Sequence, residues 1–303
     1  MSLFNHLIRT TLPVTPRPMI KFFAHRYVAG PALDDAVATV KRLQADGCCA
    51  TIDVLGESVT SRPLAQQAVD SYLQVLDAIR ERSLDANISL KPTQMGLTID
   101  EGFCRDNIGA IIERARHTGI VVRIDMEDAP TTDATLRMYH ELVGRYPGGT
   151  GVVLQARLRR TLADAAALVE TKTNVRLCKG IYLEPRRIGY QERDIIRNNF
   201  MHIHRVLLGG GSHVGIATHD EWLVCEALAL IRELGLTRDR YEFQMLLGVD
   251  PELRRIIVGG GHRLRVYVPF GSHWYPYSVR RLRENPTIAR AGLEAFLRGR
   301  VES

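Results

Sequence analysis

The stretch from residue 50 to residue 91 contains the repeat from which this chain is built. It begins with ATIDVL (Ala50–Leu55), a short apolar run typical of a buried parallel strand, and ends with NISLK (Asn87–Lys91), a second such run. Pro63 is well placed to open a helix between them. The predicted buried face of that helix carries Leu64, Ala68, Tyr72, Leu76 and Ile79. We therefore interpret residues 50–91 as a strand–helix–strand unit.

Further runs of the same kind follow along the chain. They are Val121–Asp125, Val152–Gln155, Val175–Lys179, Val214–Thr218, Tyr241–Met245 and Leu264–Val268. Helical spacing lies between them: Thr131 or Thr132 is predicted to cap the helix after the third strand, and Asp250 with Pro251 to start the one after the seventh. Eight such repeats with right-handed crossovers predict an α/β fold, a (βα)8 barrel of the TIM type. The alternative is a doubly wound open sheet, but no GxGxxG follows the first strand.

The segments outside the repeats complete the predicted organisation as one domain. Residues 1–46 form an N-terminal helical arm, with a helix over Asp34–Asp46 that Gly47 stops. Residues 47–303 form the barrel, including a C-terminal helix over the active site. The glycine runs Gly209–Gly211 and Gly259–Gly261 precede strands six and eight. We interpret them as helix-to-strand turns that need positive φ, rather than as phosphate loops.

Composition narrows the functional classes. The net charge of +6 is modest for 303 residues and gives no nucleic-acid signature. The five cysteines are odd in number and lack CxxC spacing, which indicates reduced thiols and predicts no metal site. No run approaches the ~20 apolar residues of a membrane span, and no signal peptide is evident. The sequence therefore predicts a cytoplasmic protein.

Polar residues gather at the predicted carboxyl ends of the strands, where barrel enzymes place their active sites. They are Lys91, Asp125, Gln155, Thr218, His219 and Tyr267. Arg176 and Lys179 lie within the fifth apolar run, where an unpaired charge is costly, so they need partners or a ligand. Structural roles are the alternative: Lys91 and Asp125 would form one ion pair, and Thr218 and His219 would open the next helix.

Separate segments, in the same order along the chain, resemble the proline dehydrogenase family. They are DVLGESV (53–59), SLKPTQMGL (89–97), RIDMED (123–128), VVLQA (152–156), VRLCKGIYLEP (175–185), ATHD (217–220), YEFQMLLGV (241–249) and YVPFGSHWYPYSVRRLRENP (267–286). The last segment is the most specific, because two adjacent arginines follow a tyrosine by thirteen and fourteen residues.

The resemblance implies FAD-dependent oxidation of L-proline to Δ1-pyrroline-5-carboxylate by hydride transfer to flavin N5, with a quinone reoxidising the flavin. Asp125 and Arg176 are implied as catalytic, with Asp125 as the acidic partner of Lys91 and Arg176 near N5. The implied substrate-binding residues are Lys91, Tyr182, Leu246, Tyr267, Arg280 and Arg281. The implied flavin-binding residues are Met126, Gln155, Arg176, Lys179, Gly180, Ile181, Thr218 and His219. Paired guanidiniums such as those of Arg280 and Arg281 suit a carboxylate.

Some positions depart from the family pattern, namely Pro92, Arg157 and Ile181. Tyr267 favours proline over hydroxyproline as substrate. The resemblance also implies partnership with pyrroline-5-carboxylate dehydrogenase and peripheral association with the inner face of the membrane. Three alternatives stay open: a Schiff-base lyase using Lys179 with Asp125 as proton shuttle, a dehydrogenase of another cyclic imino acid, and a non-enzymatic scaffold.

Overall fold

The computed structural model describes residues 26–275 and 277–279, and within them eight parallel strands close into a barrel in chain order. The strands are β1 (Cys49–Val54), β2 (Ala86–Leu90), β3 (Val122–Ile124), β4 (Thr150–Gln155), β5 (Asn174–Cys178), β6 (His213–Ala217), β7 (Tyr241–Leu246) and β8 (Leu264–Phe270). Because β8 pairs with β1, the predicted barrel is confirmed and the open sheet is excluded.

Helices precede and connect the strands. They are α1 (Leu33–Ala45), α2 (Arg62–Glu81), α3 (Glu101–Ala115), α4 (Ala129–Arg145), α5 (Thr161–Val169), α6 (Arg193–Gly209), α7 (Glu221–Glu233) and α8 (Pro251–Gly259), with a short 3₁₀ turn at Arg238–Arg240. Helix α1 packs against β1 and β8, and so covers the junction at which the barrel closes. None of the helices in the described ranges has the length and apolar character needed to cross a membrane.

Several local predictions are confirmed. Each predicted strand lies within about two residues of the observed one, because short β-branched runs bounded by turns are a strong local signal. The Asp250 side chain caps α8 by accepting a hydrogen bond from the Leu253 amide at 3.0 Å. The turns before β6 and β8 require glycine, since Gly211 and Gly261 have φ of 91° and 75°.

Two local predictions are wrong. Helix α4 begins at Ala129 with Asp128 as its N-cap residue, so neither Thr131 nor Thr132 caps it. The Thr131 hydroxyl instead donates to the Asp128 carbonyl at 2.9 Å, from within the first turn. In α2, Leu64 is 49% exposed, and the buried face of the helix begins at Ala65 instead.

Successive side chains of a strand point to opposite faces, and in this barrel the two faces have different chemistry. The outward face is apolar and packs against the helices; it includes Ile52, Ile88, Ile124, Leu154, Leu177, Ile216, Phe243 and Val266, all buried. Fully burying side chains of this size contributes about 1.5–3 kcal/mol each. The inward face is polar; it includes Asp53, Ser89, Arg123, Arg176, Gln244 and Arg265, all buried. Barrel interiors are more often filled with branched apolar residues.

Hydrogen bonds between strands that are not neighbours confirm this inward direction. Arg176 of β5 contacts Ser89 of β2, and Arg123 of β3 contacts Asn174 of β5. The polar interior leads to the carboxyl ends of the strands and so positions the site. Most of the predicted N-terminal arm and the predicted helix over the active site lie outside the described residues.

Candidate active site

The buried ion pair of Lys91 and Asp53 lies at the carboxyl ends of β1 and β2. The Lys91 ammonium nitrogen is 3.1 and 3.3 Å from the two carboxylate oxygens of Asp53, and the Asp53 side chain has no exposed surface. Burial lowers the pKa of Lys91, but the carboxylates of Asp53 and Asp125 outweigh it, so the net pKa shift is upward. Lys91 is therefore protonated at neutral pH.

The predicted pairing of Lys91 with Asp125 is wrong. Asp53 faces Ser89 in the register of β1 and β2, and Lys91 follows Ser89 by two residues, which places both side chains on the inner face. Asp53 is thus nearer to Lys91 than Asp125 is, because Asp125 follows β3. Asp53 was not identified from the sequence as a site residue.

Asp125 follows β3, and its carboxylate accepts hydrogen bonds from residues on three other strands, β2, β5 and β8. One of its carboxylate oxygens accepts hydrogen bonds from the Ser89 hydroxyl at 2.5 Å and from Arg176 Nη1 at 2.8 Å. The other accepts from the Tyr267 hydroxyl at 3.2 Å. Burial, reinforced by the carboxylates of Asp125 and Asp53, raises the pKa of Tyr267 well above its ordinary value. Tyr267 therefore remains a hydrogen-bond donor across the usable pH range.

Arg176 lies in the middle of this group and is 7% exposed. Besides Asp125, its Nη1 donates to Ser89 at 3.0 Å, and its Nε donates to Gln244 Oε1 at 2.6 Å. Its guanidinium carbon is 5.3 Å from the centre of the Tyr267 ring, within cation–π range. We call Asp53, Lys91, Asp125, Arg176 and Tyr267 the mouth cluster. The charge within the fifth strand thus has partners, as predicted.

A second group surrounds Asp220, which starts α7. Its carboxylate accepts hydrogen bonds from Lys179 Nζ at 3.0 Å, Arg197 Nη2 at 2.7 Å and Arg193 Nη2 at 3.4 Å. Burial opposes the charged form, but the bonds from Arg197 and Lys179 hold the pKa of Asp220 well below its usual value. A Schiff-base lysine needs an environment that removes its charge. The Lys179 nitrogen instead contacts the buried carboxylate of Asp220, and this contact weighs against the lyase alternative.

Thr218 and His219 follow β6 and bind main-chain groups. Thr218 Oγ1 accepts a hydrogen bond from the Asp220 amide at 3.0 Å, so Thr218 does help to start the next helix, as the structural alternative proposed. His219 Nε2 accepts from the Leu246 amide at 2.8 Å, which puts the proton of the neutral ring on Nδ1. Leu246 ends β7 and faces Tyr267 in the register with β8.

Gln155 and Gly180 meet where β4 and β5 end. Gln155 Nε2 donates to the Glu127 carbonyl at 2.7 Å. Gly180 has φ of 93°, and a Cβ there would lie 2.9 Å from Gln155 Oε1, so the main chain passes close to this amide. Arg157 Nε donates to the Gly180 carbonyl at 3.2 Å, so Arg157 supports this turn.

The other predicted site residues lie at the edges of the group. Met126 is buried after β3, Ile181 is 37% exposed, and Tyr182 is half-buried in the segment after β5. Arg280 and Arg281, predicted to bind a carboxylate, lie outside the described residues. Among the residues that the structure describes, no group of His, Cys, Asp or Glu could hold a metal ion, and all five cysteines are free.

Sequence reasoning missed Asp53, Ser89 and Gln244, although each contacts a predicted residue. The sequence feature that could have indicated them is the presence of polar residues at every second position of a predicted strand, as in Thr51 and Asp53 or Glu242 and Gln244. That alternation marks an inward polar face. The resulting site is a buried cluster at the carboxyl ends of the strands, in which Lys91 and Arg176 are each paired with a carboxylate.

Comparison with known proteins places the chain in a family. The family described as proline dehydrogenase matches residues 36–291. Proline dehydrogenase 1 of Bacillus subtilis is 35% identical over 275 residues, covering 91% of each chain. Proline dehydrogenase of Deinococcus radiodurans is 31% identical over 303 residues, covering 96% of this chain and 98% of its own.

Solved structures show the same fold. Proline utilization A from Bdellovibrio bacteriovorus superimposes with a TM-score of 0.81 at 23% identity, over 87% of this chain and 32% of that protein. The family match spans most of the chain, and both curated relatives align over nearly their whole length. The chain therefore belongs to the proline dehydrogenase family.

Proposed function

We propose that this enzyme oxidises L-proline to Δ1-pyrroline-5-carboxylate, with FAD N5 as the hydride acceptor and a quinone as the final electron acceptor. Membership of the proline dehydrogenase family supports the reaction. For the site, the proposal is carried by Arg176, a buried guanidinium that Asp125, Ser89 and Gln244 hold at the carboxyl end of the barrel. A fixed cation there would stabilise the extra charge of a reduced flavin ring.

The residues fit FAD by their chemistry. Gly180 leaves main chain uncovered beside Gln155, where a side chain would block close approach. Lys179 supplies an ammonium group and Thr218 a hydroxyl, both suited to the phosphates and ring edge of a dinucleotide. The proposed cofactor residues are Met126, Gln155, Arg176, Lys179, Gly180, Ile181, Thr218 and His219. When bound, FAD supplies the redox chemistry, and the protein supplies binding and orientation.

The proposed substrate residues surround the mouth cluster. Tyr267 is held by Asp125 through its hydroxyl, so its ring can pack against a small substrate in one orientation. Leu246, its neighbour in the sheet, extends the same wall, and Tyr182 lies at its edge. Lys91 provides a buried positive charge. Arg280 and Arg281 are proposed to bind the substrate carboxylate.

Asp125 and Arg176 are the proposed catalytic residues. Asp125 contacts both Arg176 and Tyr267, so one carboxylate sets the position of the cation and of the substrate wall. Holding reacting groups in one geometry supplies much of the rate in reactions of this kind. No protein nucleophile is needed for hydride transfer.

Family membership also supports three wider parts of the proposal. They are a quinone as electron acceptor, partnership with pyrroline-5-carboxylate dehydrogenase, and a cytoplasmic location at the inner face of the membrane. Reoxidation of the proline-reduced protein by a soluble quinone analogue would test the first of these directly.

The main test is the absorption spectrum of the purified protein under anaerobic conditions, before and after addition of L-proline. We expect a flavin band that bleaches, and an Arg176→Met variant that binds FAD but bleaches roughly 10²–10³-fold more slowly. Arg205→Met, which alters an exposed ion pair with Glu233, is the matched control and should behave as wild type.

Other outcomes would change the proposal. A yellow protein that ignores L-proline would point to another cyclic imino acid. A colourless protein that takes up no FAD would contradict the proposal. Trapping of a carbonyl substrate on Lys179 by borohydride would then favour the lyase.

A further inference from the structure

We propose that Gln244 is a positioning residue for Arg176, and that the ion pair of Glu242 and Arg265 holds Gln244 in place from the opposite end of the barrel. The inference rests on the proposed function of Arg176 beside the flavin. It adds Glu242 and Gln244 of β7 and Arg265 of β8, which are not among the predicted site residues.

The contacts of Gln244 fix its orientation. Its side-chain oxygen accepts from Arg176 Nε at 2.6 Å, and its side-chain nitrogen donates to Glu242 Oε1 at 2.7 Å. A cation requires the oxygen and a carboxylate requires the nitrogen, so the amide has one favourable orientation. Gln244 is 6% exposed, and water therefore has little access to replace either contact.

Glu242 is fixed in turn. It accepts from Arg265 Nε at 2.7 Å, and Arg265 Nη1 donates to the Ala50 carbonyl of β1 at 2.6 Å. Burial opposes the charged form of Glu242, but Arg265 lowers the pKa of this carboxyl to about 2. Glu242 is thus a carboxylate at any working pH. A continuous series of hydrogen bonds therefore runs from the main chain of β1 through Arg265, Glu242 and Gln244 to Arg176.

Gly215 of β6 provides an independent observation on Gln244. In the register of the sheet, Gly215 lies between Arg176 of β5 and Glu242 of β7. A Cβ at Gly215 would lie 2.4 Å from Gln244 Nε2, so the amide occupies the space that any other residue would fill. Gly215→Ala would displace Gln244 while leaving each hydrogen-bonding group of the series in the chain.

The consequence concerns how Arg176 is held. Its Nη1 is bound by Ser89 and Asp125, and its Nε by Gln244. Without Gln244, the guanidinium keeps contacts at one end only and can turn about them. A cation displaced by about 1 Å can lower a rate by up to about a hundredfold.

The test compares Gln244→Met with wild type in the FAD-loaded enzyme. We expect L-proline to reduce the flavin at least about tenfold more slowly and the reduction potential of the flavin to become more negative. KM for L-proline should change little, because the proposed carboxylate ligands are elsewhere. Gln94→Met is the matched control, since Gln94 is equally buried but donates to the Val54 carbonyl; it should leave the potential unchanged.

Gly215→Ala keeps the test decisive if Gln244→Met does not fold, and it should shift the potential in the same direction. A Gln244→Met or Gly215→Ala protein with wild-type potential and reduction rate, altered only in thermal stability, would overturn the inference. If wild-type protein takes up no FAD, the proposed function is overturned as well. If L-proline bleaches the wild-type flavin normally and the two variants have the wild-type reduction rate and potential, this inference alone is overturned.

Discussion

The barrel buries cations at both of its ends and holds them in two different ways. At the carboxyl end, Lys91 and Arg176 are bound by the side-chain carboxylates of Asp53 and Asp125. At the amino end, Glu242 binds Arg265 in the same way, but Arg123 is bound by the main-chain carbonyls of Val152 and Asn174 and by the Asn174 side chain. Cations bound by main-chain groups are fixed by the fold itself. The proposed chemistry lies at the carboxyl end, where the side chains of Ser89, Asp125 and Gln244 hold Arg176.

Removing the cation of the buried ion pair should produce the largest effect. In Lys91→Met, the fully buried Asp53 loses its counter-ion, and we expect the free energy of unfolding to fall by about 3–5 kcal/mol at neutral pH. Burial already raises the pKa of Asp53. Without Lys91 this carboxyl should protonate more readily, so the loss should shrink as the pH falls.

Urea denaturation at pH 5 and 8 would measure this effect. The control is the double variant Asp53→Leu with Lys91→Met, which leaves no unpaired charge and should be more stable than Lys91→Met alone. If the free energy of unfolding of Lys91→Met at pH 8 lay within about 1 kcal/mol of the wild-type value, the ion pair would not be effectively desolvated.

The second prediction concerns the pH dependence of the amino end. Arg265 lowers the pKa of Glu242 from 4.5 to about 2, so Glu242 stabilises the folded state above pH 4.5, and this stabilisation is lost as the pH falls towards 2. Its size at neutral pH is at most about 3 kcal/mol. We expect the stability difference between wild type and Glu242→Gln to shrink between pH 5 and pH 3. A constant difference over that range would contradict the prediction.

The smallest effect is expected at Arg123. Burial, together with repulsion from Arg176, lowers the pKa of Arg123 to about 9, so its charge is not strongly favoured where it lies. Arg123→Met leaves carbonyl groups without a donor but no carboxylate without a partner, and we expect a loss of about 1–3 kcal/mol. Urea denaturation of Arg123→Met and Lys91→Met under the same conditions would measure the two losses in the free energy of unfolding. A loss at Arg123 larger than that at Lys91 would reverse the comparison of the two ends.

Local sequence signals predicted the scaffold and most positions of the site. Strand positions follow from short apolar runs, and the cap at Asp250 from a residue pair that starts helices. The resemblance pointed to Asp125, Arg176 and Tyr267, which the fold brings into contact. The partner of Lys91 was predicted wrongly, because a position at the end of a strand does not show which inward side chains meet.

The same limit explains the residues that were missed. Ser89 and Gln244 lie on β2 and β7, yet both bind Arg176 of β5. Such contacts depend on the closure and register of the barrel, which no segment of the chain encodes alone. Polar residues at every second position indicated the inward face but could not identify the pairs.

The sequence alone determined the repeat, the barrel and the family, because apolar periodicity and motif residues are local properties of the chain. The tertiary structure decided which charges pair: Lys91 with Asp53, Arg176 with Asp125 and Gln244, and Lys179 with Asp220. Pairing across a closed barrel depends on distances of about 3 Å between groups far apart in sequence, and only the strand register sets those distances.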